Sequence, residues 1–230
     1  MIHLVRPAEP DDLIRNHARW TDRWTASCVS GQKIEWATRA AKNALKAPLL
    51  ALTRGKCAFC ESVLNVTSFI EIEHYHAKTV KQELVFHWPN LFPACGRCNN
   101  KKNDVDHQGR LLKPDEENPE PLLWLHRATG ELQPHPNLAP HEAKRVDATI
   151  EAYDLQRGPL CIERLKKMGF VERWLRRLEN GQGKSKECRD EWQMIVDPTT
   201  PWKFVIRHTL TRAGQPELAE FDRRRFLQES

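Results

Sequence analysis

Two Cys-x-x-Cys pairs, Cys57/Cys60 and Cys95/Cys98, enclose the run IEIEHYHAK and Asn90. Each pair makes a tight turn that aims two thiolates at one point. Four thiolates suit Zn²⁺, whose filled d shell imposes no direction of its own and which binds sulfur strongly. Four protein ligands close the shell, so this ion is expected to be structural, stapling a hairpin to a short helix. The residues between and just after the pairs suit phosphodiester hydrolysis, which needs a deprotonated water, stabilised charge on phosphorus and a neutralised leaving oxygen. His74 can accept the proton, since an unperturbed imidazole titrates at about 6.5. Glu73 can hold a divalent ion, and Asn99, just after Cys98, can offer an amide oxygen as a second protein ligand. Asn90 can hydrogen-bond loop backbone and hold the histidine strand in place, while Lys101 and Lys102 are expected to face phosphates. Neighbours on a strand point to opposite faces, so pairing Glu73 with His74 requires the strand to end or bend there. A module that only binds nucleic acid needs the staple, but not the base, the carboxylate and the amides together.

Residues 62–73 (SVLNVTSFIEIE) are β-branched and partly alternating, which predicts a hairpin. A short helix is expected over 98–104, and with a long loop over 75–94 these make a ββα unit. Upstream, Leu13, His17, Trp20, Trp24 and Cys28 recur at spacings of three and four, predicting an amphipathic helix over 11–28. A second helix is expected over 32–52, interrupted at Pro48. Downstream, 113–121 reads as a linker and LLWLHRATGEL as strand, turn and strand about Gly130. Helices are expected over 141–154, 159–179, 185–196 and 201–212, with a basic helical tail at 221–226. The expected fold class is α+β, mainly α. A small zinc-stapled ββα unit at 55–113 is embedded between an N-terminal helical region at 1–54 and a C-terminal helical region at 114–230.

The 230 residues allow one compact unit or two small ones. No apolar run approaches the roughly 20 residues needed to span a bilayer, and the first residues lack the apolar core of a signal peptide. A cytoplasmic location is therefore expected, and a reducing compartment favours metal over disulfides. Cys28, Cys161 and Cys188 read as small buried hydrophobes. GQGKS at 181–185 lacks the spacing of a phosphate-cradling loop. The net charge of +5 is mild, but residues 157–177 alone carry +5, through Arg157, Arg164, Lys166, Lys167, Arg173, Arg176 and Arg177 against Glu163 and Glu172. Such a face attracts a phosphate backbone, and equally suits solvent or an acidic partner protein. Trp20, Trp24, Trp36, Trp174 and Trp192 fall on expected amphipathic helices, so core or partner interface is favoured over base stacking.

The pattern CAFCE … IEHYHAK … WPNLFPACGRCNNKK resembles the HNH (ββα-metal) endonucleases that carry a four-cysteine zinc site. The resemblance implies that His74 is the general base, that Asn90 buttresses it and that Asn99 binds the catalytic ion, with Glu73 at the acidic position before the base. Asn99 stands where a histidine is commoner, which implies a hard ion such as Mg²⁺ or Mn²⁺. Glu73 replaces the commoner Asp and reaches one methylene further. His76 lies near where relatives carry a basic residue, which implies a phosphate contact.

A wider resemblance rests on MIHLVRPAEPDDL, read as a short strand and helix, on IEHYHAK with FHWPNLFPAC, and on ATIEAYDLQRGPLCIER. These are similar to the HNH subunit of Septu antiphage systems, with kindred subunits in retron-associated defence operons. That implies an ABC/SMC-like ATPase as partner, docked by the helices flanking the HNH unit, and nucleic acid, with phage DNA favoured, as substrate. Two readings compete: a zinc-stapled nucleic-acid-binding or interaction subunit without catalysis, and an HNH nuclease acting on RNA.

Overall fold

Asp11 and Asp12 occupy the first turn of helix α1 (Asp11–Ser30), where carboxylates complement the helix dipole, and Gly31 at φ 70° ends it. The structure is a computed structural model that describes residues 1–32, 34–64 and 69–228. Helix α2 (Arg39–Thr53) opens at Thr38, whose hydroxyl accepts from the Ala41 N–H. It starts later than the expected position 32 and passes through Pro48 without a break. Burial of Leu45, Leu49 and Leu52 offsets the hydrogen bond that Pro48 cannot make.

Strand β1 (Ile70–His74) pairs antiparallel with β2 (Leu91–Cys95), in a register running from Ile70 opposite Cys95 to His74 opposite Leu91. Helix α3 (Gly96–Lys102) follows directly. The hairpin expected within 62–73 is corrected. That segment supplies one strand, and its partner comes from the stretch expected to be loop; residues 65–68 lie outside the described residues. LFPAC is buried at every position, so it shows no alternation, and Pro93 is tolerated because a two-stranded sheet has only edges. The short N-terminal strand is also corrected. Residues 1–10 have no strand, although Leu4 donates to the Pro114 carbonyl at 2.8 Å and is buried.

Strands β3 (Leu123–Leu125) and β4 (Leu132–Pro134) form a second antiparallel pair. Helices α4 (Pro140–Ala152), α5 (Gly158–Glu179), α6 (Lys186–Val196), α7 (Lys203–Arg212) and α8 (Pro216–Gln228) complete a mainly helical architecture with two small sheets, as expected of the class. No described helix is long and apolar enough to cross a membrane.

Among the described residues, three apolar clusters hold these elements together. The first joins the cysteine region and β2 to α4, α5 and α7, with Phe59 stacked on Tyr153 at 3.7 Å. The second packs Leu13, Leu45 and Leu49 against Val85, Phe86, Trp88 and Leu91. The third lies among α5, α6, α7 and α8. The basic face expected along 157–177 is divided. Arg164 is buried and donates to the Gly130 carbonyl, and Arg157 turns to the cysteines. Arg177 pairs with Glu191, which leaves Lys166, Arg173 and Arg176 as its exposed cations. Net charge along a helix cannot tell which side chains the neighbouring elements will cover.

Asp222 is fully buried between Lys203 (2.5 Å) and Arg207 (2.8 Å), and Arg207 also pairs with Glu120 (2.7 Å). Removing one partner of such a network strands the others. Asp222→Ala is expected to destabilise the fold by about 3–5 kcal/mol, measured by urea unfolding. His208 on α7 accepts from the Leu125 N–H and lies against Trp124. Burial, then Arg212 and His135, push its pKa down to about 4. The unfolded chain therefore takes up a proton near pH 6.5 that the folded chain refuses until about pH 4. Stability present above 6.5 should be lost as the pH falls through that window, and the melting temperature of His208→Gln should fall less steeply than that of the parent between pH 7 and about 4.5.

Candidate active site

Cys57, Cys60, Cys95 and Cys98 are buried, with ligand atoms all within 4.8 Å of one another. The Cys60 and Cys95 sulfurs are 3.7 Å apart. That is far beyond the roughly 2.05 Å of a disulfide. It is close to the roughly 3.8 Å edge of a sulfur tetrahedron built on metal–sulfur bonds of about 2.3 Å. The donor set therefore fits a metal such as zinc. Arg157 approaches from the start of α5, its two terminal nitrogens 3.7 Å from the Cys98 sulfur and 3.8 Å from the Cys95 sulfur. Its positive charge offsets part of the negative charge that four thiolates would carry.

His74 is the last residue of β1, and its ring is buried. Its Nε2 lies 3.0 Å from the Val85 carbonyl oxygen, an acceptor only, so Nε2 carries the hydrogen. In the neutral ring that leaves Nδ1 with the lone pair. Burial, and then the Lys78 ammonium, hold the ring neutral by pushing its pKa down to about 3. Trp36, from the loop before α2, meets the imidazole edge to face at 4.6 Å.

The Val85 carbonyl belongs to the loop between β1 and β2, and Asn90 ties that loop down. The Asn90 Oδ1 accepts from the His76 N–H at 2.7 Å, and its Nδ2 donates to the carbonyls of His76 (3.1 Å) and Leu84 (3.0 Å). Arg6 supports the same turn by donating to the Trp88 and Leu91 carbonyls. From outside, α1 covers it: Trp20 packs on Phe86, and the Trp24 indole donates to the Lys78 carbonyl.

Glu73 is buried, and burial raises its pKa to about 7 against the pull of Lys102. The Lys102 Nζ sits 2.7 Å from Glu73 Oε1 and donates to the His74 carbonyl at 2.8 Å. Apart from that ion pair, Glu73 Oε1 has no hydrogen-bond partner among the described residues. On α3, the Asn99 Nδ2 donates to Glu71 Oε2 at 2.5 Å, so its Oδ1 remains available as an acceptor.

A small polar cavity of about 100 Å³ brings Glu73, His74 and Asn99 together, with Trp36, Lys78, Asn103 and Asp104 also on its wall. Glu73 and His74 share it because β1 ends at His74, where strict alternation of faces no longer applies. Asn90 is not on the wall; it is buried behind it. Lys102 departs from the expected phosphate contact. It is fully buried because α3 lies against β1, so its ammonium pairs with Glu73 instead of facing solvent. Lys101 is exposed, and His76 is half-buried with Nδ1 3.8 Å from Asp106. Glu71, Lys78, Asn103, Asp104 and Trp36 were missed as site residues. Glu71 alone carried a signal, standing two residues before Glu73 on the same strand face.

Two proteins named Septu protein PtuB are similar to this chain. That of Bacillus thuringiensis is 35% identical over 121 residues, 52% of this chain and 44% of that protein. That of Bacillus mycoides strain KBAB4 is 32% identical over 156 residues, 57% of this chain and 52% of that protein. The chain spans about half the length of the curated relatives it matches. No family model matches it.

Asn90→Ala should strand the His76 N–H and two carbonyls, at roughly 1–3 kcal/mol for each buried group left unsatisfied. Amide hydrogen exchange across 75–90 should accelerate, with exchange in α7 unchanged.

Proposed function

We propose that this chain is a metal-dependent HNH endonuclease, with DNA the favoured substrate, and that it serves as the nuclease subunit of a Septu-type antiphage complex. The observation that carries the nuclease reading is the shared cavity of Glu73, His74 and Asn99, in a chain segment that also carries a four-cysteine cluster. The similarity to the two Septu proteins supports the defence setting, and the resemblance to HNH subunits of such systems supplies the ABC/SMC-like ATPase as partner. A cytoplasmic location accords with both.

In this reading Cys57, Cys60, Cys95 and Cys98 hold a structural zinc. Glu73 and the Asn99 amide oxygen hold Mg²⁺ or Mn²⁺; a carboxylate and an amide oxygen left available as an acceptor, on one cavity wall, fit a hard cation. When bound, that ion stabilises negative charge on the phosphoryl oxygens and on the leaving oxygen. His74 Nδ1 takes the proton from the attacking water, while the Val85 carbonyl keeps the opposite nitrogen protonated and the ring aimed. Asn90 keeps Val85 in place through Leu84 and His76. Lys102 orients the Glu73 carboxylate and the end of β1 and does not contact substrate.

His74→Ala should lower Mg²⁺- or Mn²⁺-dependent cleavage of DNA by about 10²–10⁴ while leaving the zinc content near that of the parent and the fold intact at a lower melting temperature, since the Val85 carbonyl loses its donor. Undiminished cleavage by that variant would end the assignment of the base.

A further inference from the structure

Helix α2 and strand β1 wall a second cavity of about 280 Å³, lined by Trp36, Lys42, Lys46, Glu71, Asn99 and the isoleucines of β1. Trp36, Ile72 and Asn99 line this space and the His74 cavity alike, so the two adjoin across these three residues. Lys42 and Lys46 stand one turn apart on the same side of α2, and both are half-buried. The Lys42 ammonium is 2.6 Å from Glu35, a largely exposed side chain, and 5.9 Å from the Trp36 ring centre. Lys46 has no ion-pair or hydrogen-bond partner among the described residues. The carboxylate among the lining residues, Glu71, is already engaged by the Asn99 amide. A neutral amide leaves the Glu71 charge in place, but Lys46 is held by no ion pair among the described residues, so its ammonium is available to a phosphate that enters from solvent. Two adjoining cavities, one walled by ammonium groups and the other by an imidazole, suit a ligand that carries negative charge at repeated positions.

We infer that the α2–β1 groove seats a phosphate of the substrate strand next to the scissile one, with Lys46 as its principal contact and Lys42 as the second. The inference rests on the nuclease reading and extends it to a helix outside the cysteine-bounded segment. An ammonium is a point charge that reads no base, so the contact holds the strand without regard to sequence. Trp36 touches both the groove and His74, and so sets the spacing between the held phosphate and the base.

The test uses the full chain and a mixed-sequence duplex offered as DNA and as RNA. Binding is measured across a salt series with the His74→Ala protein, with and without Lys46→Glu or Lys46→Arg added. Cleavage is measured in the same Lys46 variants with His74 intact. Lys46→Glu is expected to weaken binding about tenfold at low salt and to reduce the slope of log affinity against log salt by about 0.9, the value of one duplex phosphate contact. It should raise KM with kcat within about twofold, while Lys46→Arg behaves like the parent in both assays. The duplex on which these effects appear identifies the strand chemistry. A parent that binds and cleaves while Lys46→Glu matches it in affinity, slope and KM overturns the groove alone. A parent that never cleaves but binds with a Lys46-dependent slope overturns the nuclease reading and supports the groove as a nucleic-acid seat. A parent that binds neither duplex overturns both.

Discussion

Four sulfur atoms converge inside the protein, and buried thiolates so close cannot share that space unless a cation balances them. That convergence sets the angle at which β2 passes into α3, since Cys95 ends the strand and Cys98 lies in the first turn of the helix. At the other end of α3, Lys102 reaches back to Glu73 and to the His74 carbonyl. The helix is therefore fastened at its start to the Cys57–Cys60 turn and at its end to β1, and Asn99 of the cavity wall lies between the two fastenings. Arg157 and the Phe59–Tyr153 stack extend the same fastening outward into the C-terminal helices.

His74 depends on a second set of contacts that no thiolate touches. Its tautomer is decided by one backbone carbonyl, Val85, in a loop that would otherwise be free to move. Asn90 holds that loop from within, Arg6 from the side, and α1 from outside through Trp20 and Trp24. The N-terminal helices thus belong to the site's architecture. Truncating them would expose Phe86 and Val85 and release the ring, even with the cysteine cluster intact. Their involvement goes further at Trp36, which lies against the imidazole itself.

Charge behaves differently in the folded protein than along the chain. Lys102 sits in a basic run and is buried; Arg157 and Arg164 sit in a basic helix and face inward. Lys42 and Lys46, in an Ala-rich and Leu-rich helix that attracts no notice, line a cavity that adjoins the site. Burial changes what a lysine does: inside, Lys102 locks a carboxylate and a strand end in place. Burial alters Glu73 as well, raising its pKa to about 7 against the pull of Lys102.

The spacing of the four cysteines, the short helix after Cys98 and the helices at both ends were readable from residue order alone, because each depends on contacts within a few residues. Glu73, His74 and Asn99 stood out as candidates because they lie within or beside the cysteine-bounded segment, whereas Trp36, Lys78, Asn103 and Asp104 on the same wall did not. The strand partner of β1 was not readable, because a fully buried pentapeptide containing Pro93 has no periodicity to betray it. Nor were the tautomer of His74, the inward turn of Lys102 or the approach of Trp36 and α2. Each of these joins residues distant in sequence, and only the packing of whole elements decides which of many chemically equivalent side chains is covered and which is left facing a groove.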